Sequence, residues 1–337
     1  MAEKKKSGLW FVLTVIVLSL VLIGVLIYLE VAAGPRELQD RYVYKPLKPD
    51  NIEMPVSGRQ KISLRLDSPR HIEAGSDGNI YVACCDAIAV LDGDKPGKIL
   101  KTIKTGRTAD CLAVDSGGAI YTCCGSTLRR LDKDGAEQMQ AKIPGRKFYP
   151  SDIVVKGDVI FIADSGRGLV LRFDTDGEFL TQIPDKTGEK GFDGFVIPSP
   201  FMSLAVISGG RLCVTNTGKH RIEVFDSDGT YRPELCWGKF SHTSPEGFAG
   251  CCNPVSISTL GGKYVVTVEK STPRVKLYNA DGKYVGLVAS TERLAPASSG
   301  MTAACLADNR IFVLNPASRT LHVTDLESTG FRRSVHD

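Results

Sequence analysis

The sequence predicts an all-β fold in which six similar units surround an axis as a β-propeller, preceded by one N-terminal transmembrane helix. Three observations lead to this prediction. A sequence unit recurs at a spacing of roughly forty residues. Each unit alternates short apolar runs with Gly, Asp and Asn, as strands and turns do. An uninterrupted apolar run also lies close to the N-terminus.

Two neighbouring units show the repeat most clearly. Residues 109–132 read ADCLAVDSGGAIYTCCGSTLRRLD, and residues 69–92 read PRHIEAGSDGNIYVACCDAIAVLD. In both, one apolar run leads to a turn, a second ends in Cys-Cys, and a third closes on Leu-Asp. Further copies without the cysteine pair begin at Ile153, Leu204, Val255 and Ala304. Short alternating runs separated by turn residues predict four strands per unit and a radial array of blades.

Residues 160–179 (IFIADSGRGLVLRFDTDGEF) and 212–231 (LCVTNTGKHRIEVFDSDGTY) resemble the NHL repeat of six-bladed β-propellers. The resemblance extends from Pro69 to the C-terminus. It implies a six-bladed NHL-like propeller, but it implies no single function, because such propellers include enzymes, sensors and protein-binding platforms.

The apolar run extends from Leu9 to Leu29 and is long enough to span the ~30 Å hydrocarbon core of a membrane as a helix. Three lysines, Lys4 to Lys6, precede it, which predicts a cytoplasmic tail at residues 1–8 and a signal anchor at 9–29. The propeller is then expected on the extracytoplasmic, periplasmic side of the cell membrane. Small residues at 31–33 leave cleavage as a signal peptide open as the alternative.

Residues 30–59 contain four prolines among charged residues and are predicted to form a stalk, with the propeller occupying residues 60–337. Lys61 to Leu66 alternates like a strand, and it is expected to be the outermost strand of the last blade. The stretch from Gly330 to Val335 is a second candidate for that place. Either strand would close the ring and remove an exposed sheet edge.

The formal net charge of the chain is +4, and the N-terminal tail accounts for about half of it. A field of this size does not recruit nucleic acid, so nucleic acid is not expected as a partner.

Ten cysteines in a protein expected to be exported are unusual, and six of them form adjacent pairs. In the propellers that this sequence resembles, the start of the first strand and the end of the second meet on one face. That arrangement implies a cluster on the upper face made of Cys84, Cys85, Cys111, Cys123, Cys124, Cys251, Cys252 and His71.

Two long insertions are expected on the same face, where they would act as a lid. The first insertion is Pro184 to Phe201, and the second insertion is Pro233 to Pro254, which contains Cys236, Trp237 and His242.

Three interpretations of the cysteines remain open. Clustered thiolates with an imidazole suit zinc, copper(I) or an iron–sulfur cluster, although no paired C-x-x-C motif is present. Structural disulfides are permitted by export, and Cys111 and Cys123 lie on strands that could be bridged, but adjacent cysteines rarely bond to each other. Cysteine is also a small apolar core residue, which is the preferred account of Cys213 and Cys305.

The remaining polar candidates have simpler explanations. Asp164, Asn216 and Asn315 follow second strands, where capping of a turn is expected. Asp152, Asn216 and Glu269 could imitate the calcium site of some six-bladed hydrolases, but no complete motif is present.

The sequence therefore predicts a membrane-anchored propeller whose upper face binds a metal or redox centre, as an accessory to a membrane redox or electron-transfer complex. The alternatives are a disulfide-stabilised scaffold for a protein or glycan ligand, and a metal-dependent lyase or hydrolase.

Overall fold

A computed structural model describes residues 10, 13–25, 28, 53–185, 191–296, 300–306 and 308–326. The chain forms two compact units, residues 1–48 and 49–337. In the first unit residues 13–25 are helical and exposed. None of the helices within the described residues combines the length and apolar character needed to cross a membrane. The predicted cytoplasmic tail, residues 30–52 of the predicted stalk, and the stretch from Gly330 to Val335 lie outside the described residues.

The second unit contains six antiparallel sheets, which confirms the predicted all-β six-bladed propeller. Blade 1 comprises β2 (His71–Ala74), β3 (Ile80–Ala83), β4 (Ala87–Leu91) and β5 (Ile99–Lys104), and blade 2 comprises β6 (Cys111–Val114), β7 (Ile120–Cys124), β8 (Thr127–Leu131) and β9 (Glu137–Lys142). Blade 3 comprises β10 (Pro150–Lys156), β11 (Val159–Asp164), β12 (Leu169–Asp174) and β13 (Phe179–Ile183), and blade 4 comprises β14 (Leu204–Val206), β15 (Leu212–Asn216) and β16 (Arg221–Phe225). Blade 5 comprises β17 (Ser256–Leu260), β18 (Tyr264–Val268), β19 (Val275–Asn279) and β20 (Tyr284–Ala289), and blade 6 comprises β21 (Thr302–Cys305), β22 (Arg310–Asn315), β23 (Thr320–Leu326) and β1 (Val56–Ser63).

Blade 6 closes the ring by joining the two ends of the unit. Strand β1 pairs antiparallel with β23, with Ile62 opposite Leu321. The expected closing strand is therefore correct in place and overlaps β1 at residues 61–63, but β1 begins at Val56, within the segment predicted as stalk. The edge of β23, which would otherwise be open, is paired in this way.

Blade 4 is the exception to the expected four strands. Only isolated bridges, Phe225 to Tyr231 and Ile222 to Trp237, occupy the outer position in the described residues. The second insertion starts here with Pro233, which has no N–H to donate to a sheet, so the chain turns into a short 3₁₀ helix, Pro233–Leu235.

The core consists of six apolar clusters, each between two neighbouring blades. Side chains alternate along every strand, so each blade contributes one face to the cluster before it and the other to the cluster after it. Aspartates at the turns hold the hairpins together. Asp115, for example, accepts the N–H groups of Gly117 and Ala119, and Gly118 adopts a left-handed φ of 83°.

The first strands of neighbouring blades contact one another in a closed ring from β2 round to β21 and back to β2. We call the face where these strands start the upper face, and the face where they end the lower face. The second strand of each blade runs antiparallel to the first and therefore ends on the upper face.

Candidate functional site

One residue from each blade stands at the same position, at the upper start of the first strand. Three of them bond to the next blade: Asp152 Oδ2 accepts the Leu204 N–H at 2.8 Å, Ser203 Oγ the Ile257 N–H at 3.0 Å, and Ser256 Oγ the Ala303 N–H at 3.2 Å. The position thus joins neighbouring blades at the channel. The six residues are His71, Cys111, Asp152, Ser203, Ser256 and Thr302.

His71 extends this ring across the channel to a non-adjacent blade. Its Nε2 lies 3.1 Å from Asp152 Oδ1, and the Ser203 hydroxyl donates to Asp152 Oδ2 at 2.6 Å. All three side chains are buried, and His71 Nδ1 has no hydrogen-bond partner in the described part of the chain. Burial lowers the pKa of His71, but the hydrogen bond and charge of Asp152 outweigh it and raise the pKa above its usual value.

The ends of the second strands form another set of equivalent positions on the upper face. Four of these side chains hold the loop that enters their own blade: Asp164 accepts the Tyr149 N–H at 3.0 Å, Asn216 the Val196 N–H at 2.9 Å and Glu269 the Ala249 N–H at 3.0 Å, and Asn315 donates to Pro296 O at 2.7 Å. The predicted turn capping is confirmed for Asp164, which accepts the Gly166 N–H at 3.1 Å, and for Asn315, which accepts the Ser318 N–H at 3.4 Å. It is wrong for Asn216, whose side chain makes no capping hydrogen bond to the turn that follows it.

Cysteines replace those loop-holding residues in blades 1 and 2. Cys84 is buried and its thiol donates to Val82 O at 3.7 Å, whereas the Cys124 thiol accepts from Arg129 at 3.9 Å. Cys85 is partly exposed and its sulfur lies 3.9 Å from Thr108 Oγ1. The first two blades therefore present thiols where the other blades use carboxylates and amides.

Cys111 and Cys123 are direct partners on β6 and β7, and both are fully buried. Burial, together with the hydrogen bond to Cys123, raises the pKa of Cys111 well above its usual value. Cys111 is therefore kept as a neutral thiol, and both residues belong to the cluster between blades 2 and 3.

Cys251 and Cys252 have a different environment at the end of the second insertion. Their sulfur atoms are 2.9 Å apart, Cys251 is exposed, and Cys252 is buried in a left-handed conformation with φ 60°. That conformation turns the two side chains to the same side, whereas neighbours in an extended strand point to opposite sides.

Lys270 and Ser199 complete the surroundings of this pair. Lys270 Nζ donates to Ser199 Oγ at 2.9 Å, so the first insertion, the second insertion and the β18–β19 turn meet here. Burial and the Cys251 thiol raise the pKa of Cys252, whereas the Lys270 charge and the Ser199 hydroxyl act in the opposite direction. The site combines an accessible thiol, a second thiol in contact with it, and a nearby cation.

All ten cysteines are free thiols in the structure. Among the described residues no three His, Cys, Asp or Glu side chains form a group arranged to hold a metal ion. The expected metal role of Cys84, Cys85, Cys111, Cys123, Cys124, Cys251, Cys252 and His71 therefore stays a prediction. Two residues that could imitate a calcium site are engaged in other contacts. Asp152 bonds to His71, and Glu269 bonds to Arg274.

The sequence reasoning missed a buried charged group beneath the second insertion. Glu269 lies 2.8 Å from Arg274 and 2.7 Å from Lys276, and Lys276 donates to Gly247 O at 2.6 Å. Burial lowers the pKa of Lys276 to about 8. A lysine in the middle of the apolar β19 pattern was the available signal, because a buried cation requires a partner.

Trp237 anchors the same insertion. Its ring centroid lies 4.6 Å from that of Tyr278 and 6.2 Å from that of Phe248. The second insertion is thus fixed at Trp237 and at residues 246–249, and it ends at the cysteine pair.

No protein-family model and no curated protein matches the sequence. Solved structures do match the chain in fold. A gluconolactonase from Xanthomonas campestris is 16% identical, with a TM-score of 0.57 over 81% of this chain and 91% of the other. Virginiamycin B lyase from Staphylococcus aureus is 13% identical, with a TM-score of 0.53 over 80% and 99%. The Cps50 (Swd1) propeller domain of Myceliophteria thermophila is 10% identical, with a TM-score of 0.54 over 81% and 99%. At these identities the similarity establishes the fold alone, a β-propeller.

Proposed function

We propose that this protein is a membrane-tethered, extracytoplasmic propeller whose upper face carries a thiol redox centre at Cys251 and Cys252. The observation that carries the proposal is the 2.9 Å separation of the two sulfurs, with Cys251 open to solvent. Lys270 and Ser199 support it, because they lie beside Cys252 and oppose part of the rise in its pKa that burial and Cys251 cause.

The reaction is a two-electron exchange with a disulfide. The Cys251 thiolate attacks one sulfur of the incoming disulfide, forms a mixed disulfide and releases the first thiol. The Cys252 thiolate then attacks Cys251 Sγ, which forms the Cys251–Cys252 bond and releases the second thiol. The two cysteines are oxidised, the incoming disulfide is reduced, and the two cysteine protons pass to the released thiolates.

A bond between adjacent cysteines closes a small ring and is readily reduced, so it suits electron exchange better than structural bracing. The left-handed Cys252 makes the contact possible without disturbing the sheets, because it lies in a loop. The partner expected from this chemistry is a membrane complex that supplies or accepts two electrons at the extracytoplasmic surface.

The apolar run at residues 9–29 and the lysines before it support the proposed membrane tether. Replacing Leu18 and Val21 by Arg places two charges in the middle of the run, at a cost of about 2.5–3.5 kcal/mol each. The native chain is expected to remain in the membrane fraction after an alkaline wash, and the double variant to be released from it.

Redox titration of the full chain, purified without oxygen, tests the thiol centre. Cysteine alkylation and mass spectrometry are read on residues 240–263, a segment between two lysine cleavage sites that contains no other cysteine. As glutathione disulfide increases, the segment should lose both alkylatable thiols together. In the Cys252→Ser variant, Cys251 should instead accumulate as a stable mixed disulfide with glutathione.

Cys85→Ser is the matched control, since Cys85 is a partly exposed member of another adjacent pair. It should titrate like the native chain. Independent oxidation of the two thiols, or no oxidation while the other cysteines react, contradicts the redox proposal. Metal analysis of the reduced sample tests the zinc, copper and iron–sulfur prediction. Stoichiometric metal that is lost in Cys252→Ser would assign the pair to metal binding instead.

A lyase or hydrolase is the second candidate, favoured by the buried His71, whose Nδ1 has no hydrogen-bond partner among the residues that the structure describes. With Asp152 on its Nε2, His71 has the arrangement of a general base. This candidate predicts an activity that is lost in His71→Gln and retained in Cys252→Ser. Loss of that activity in Cys252→Ser, with the activity retained in His71→Gln, would exclude a lyase or hydrolase.

A further inference from the structure

A cavity of about 430 Å³ lies at the lower end of the channel, opposite the face that carries the cysteine pair. The ends of five first strands line it, and its volume is within the range of small-molecule sites. Its lining includes Glu73, Val114, Val154, Lys156 and Val206.

The surface of the cavity is mainly polar, with one wall of partly exposed valines and a single carboxylate. Among its described lining residues Glu73 is the only acid, and Lys156 at the exposed rim is the only base. Glu73 lies two residues below His71 on β2, towards the interior of the channel. An apolar ligand body would contact Val114, Val154 and Val206.

Glu73 has no evident role in building the blade. The equivalent positions of the other five blades carry alanine, valine or serine, so the fold does not need a carboxylate there. Its Oε1 accepts only the adjacent Ala74 N–H at 3.1 Å, and no ion pair joins Glu73 to a cation in the described part of the chain. The charge of the nearby His71 favours the Glu73 carboxylate, but burial outweighs it and raises the pKa of Glu73, so a ligand that supplies a cation would stabilise the carboxylate.

We propose that the lower end of the channel binds a small aliphatic amine, whose ammonium group donates to Glu73 and whose carbon chain contacts the valine wall. The site is separate from the thiol centre and does not depend on it. Lys156 at the rim disfavours a second positive charge on the ligand, so the preferred ligand is a monoamine.

The test compares 1-aminopropane with 1-propanol, which has the same carbon chain without the charge. Binding to the full chain is measured by saturation-transfer NMR at pH 8. We expect the amine to bind about tenfold or more tightly than the alcohol, because a hydrogen bond to a charged group is stronger than a neutral one. Glu73→Gln should reduce amine affinity by about the same factor, whereas Glu178→Gln, at an exposed turn, should leave it unchanged.

The pH dependence of amine binding provides a second measurement. Burial raises the pKa of Glu73 to about 7, so the carboxylate takes up a proton as the pH falls below that value and amine affinity should fall between pH 8 and pH 6. The groups facing Glu73 are His71, Asp152 and the thiol of Cys305, with Lys156 at the rim. In Glu73→Gln this pH dependence should disappear.

Equal binding of amine and alcohol, or full amine binding in Glu73→Gln, overturns the proposal. Thermal unfolding shows whether Glu73→Gln is folded. If it is not, Val114→Phe is the replacement test, since it fills the cavity from the partly exposed wall and keeps the carboxylate. This variant should lose amine binding at both pH values, and unchanged binding would also overturn the proposal.

Discussion

Glu269 is a buried carboxylate that holds two cations and a loop at the same time. It contacts Arg274 and Lys276 and accepts the Ala249 N–H, so the second insertion depends on it. Glu269→Ala leaves two buried cations without their anion, and we expect a loss of about 3–5 kcal/mol in the free energy of unfolding. Urea denaturation measures this loss.

Glu246 provides the control for that measurement, because it belongs to the same insertion but forms an exposed ion pair with Lys239 at 3.3 Å. Glu246→Ala should change the free energy of unfolding by about 0.5 kcal/mol or less. Similar losses in the two variants would contradict a structural role for the buried group.

Glu73 makes the stability of the folded chain depend on pH. Burial raises its pKa from 4.5 to about 7, so the native state keeps a proton that the unfolded chain has already released. The folded state therefore loses stability as the pH rises from 4.5 to 7, by about 1–3 kcal/mol. His71, whose pKa is also raised, acts in the same direction above its usual value of 6.5.

Glu73→Gln removes the carboxyl contribution, and the difference between the variant and the native chain isolates it from other titrating groups. The free energy of unfolding should fall less in the variant between pH 5 and pH 8. An identical fall in both proteins would show that the Glu73 carboxyl does not titrate differently on folding.

Single residues also mark the limit of sequence reasoning. The capping of turns by Asp164 and Asn315 was predictable, because it depends on residues two or three positions further along the chain. The bond between His71 and Asp152 was not, because it joins blades separated by one other blade, and the repeat pattern gives no information on which residues meet across the channel.

Among the elements, the second insertion is the one that carries the cysteine pair, and its position depends on Trp237. The indole packs against the β19–β20 turn, where Gly282 has a left-handed φ of 80°. A Cβ at Gly282 would fall on the indole ring, whereas Gly261, also left-handed, has open space around it.

Gly282→Ala should therefore destabilise the chain more than Gly261→Ala. Both pay about 1–2 kcal/mol for a left-handed alanine, and the clash with Trp237 adds about 1–3 kcal/mol to the first. Thermal unfolding of the two variants gives the comparison. Equal effects would mean that the indole does not hold the insertion at this turn.

The elements themselves were largely predictable, since short alternating runs with Asp and Gly at their ends specify strands and turns. The missing outer strand of blade 4 was not, because the repeat pattern predicts four strands wherever it is found. The sequence offered a signal in Pro233, which interrupts the place where that strand would have formed. The approach of two adjacent cysteine sulfurs also depends on one left-handed residue, a conformation that sequence does not specify for cysteine.

For the whole molecule, the ring is closed by two segments separated by almost the entire chain. Strand β1 pairs with β23 from Val56 to Ser63, and this pairing covers the edge of β23 and makes β1 the outer strand of blade 6. The need for closure follows from the repeat architecture, which is why a closing strand was expected before the first unit. Its exact start was not predictable, because the preceding residues carry no repeat signal.

A chain that begins at Leu64 lacks β1 and should form a ring with an open edge at β23. We expect its unfolding temperature to fall by about 5–10 °C relative to a chain that begins at Pro49 and retains β1. Because an unpaired edge strand invites pairing with another chain, the shorter protein should also self-associate. Thermal unfolding and size-exclusion chromatography of the two proteins test this. Equal stability in two monomeric proteins would show that blade 6 does not need β1, and that closure rests on the contacts between the first strands around the channel.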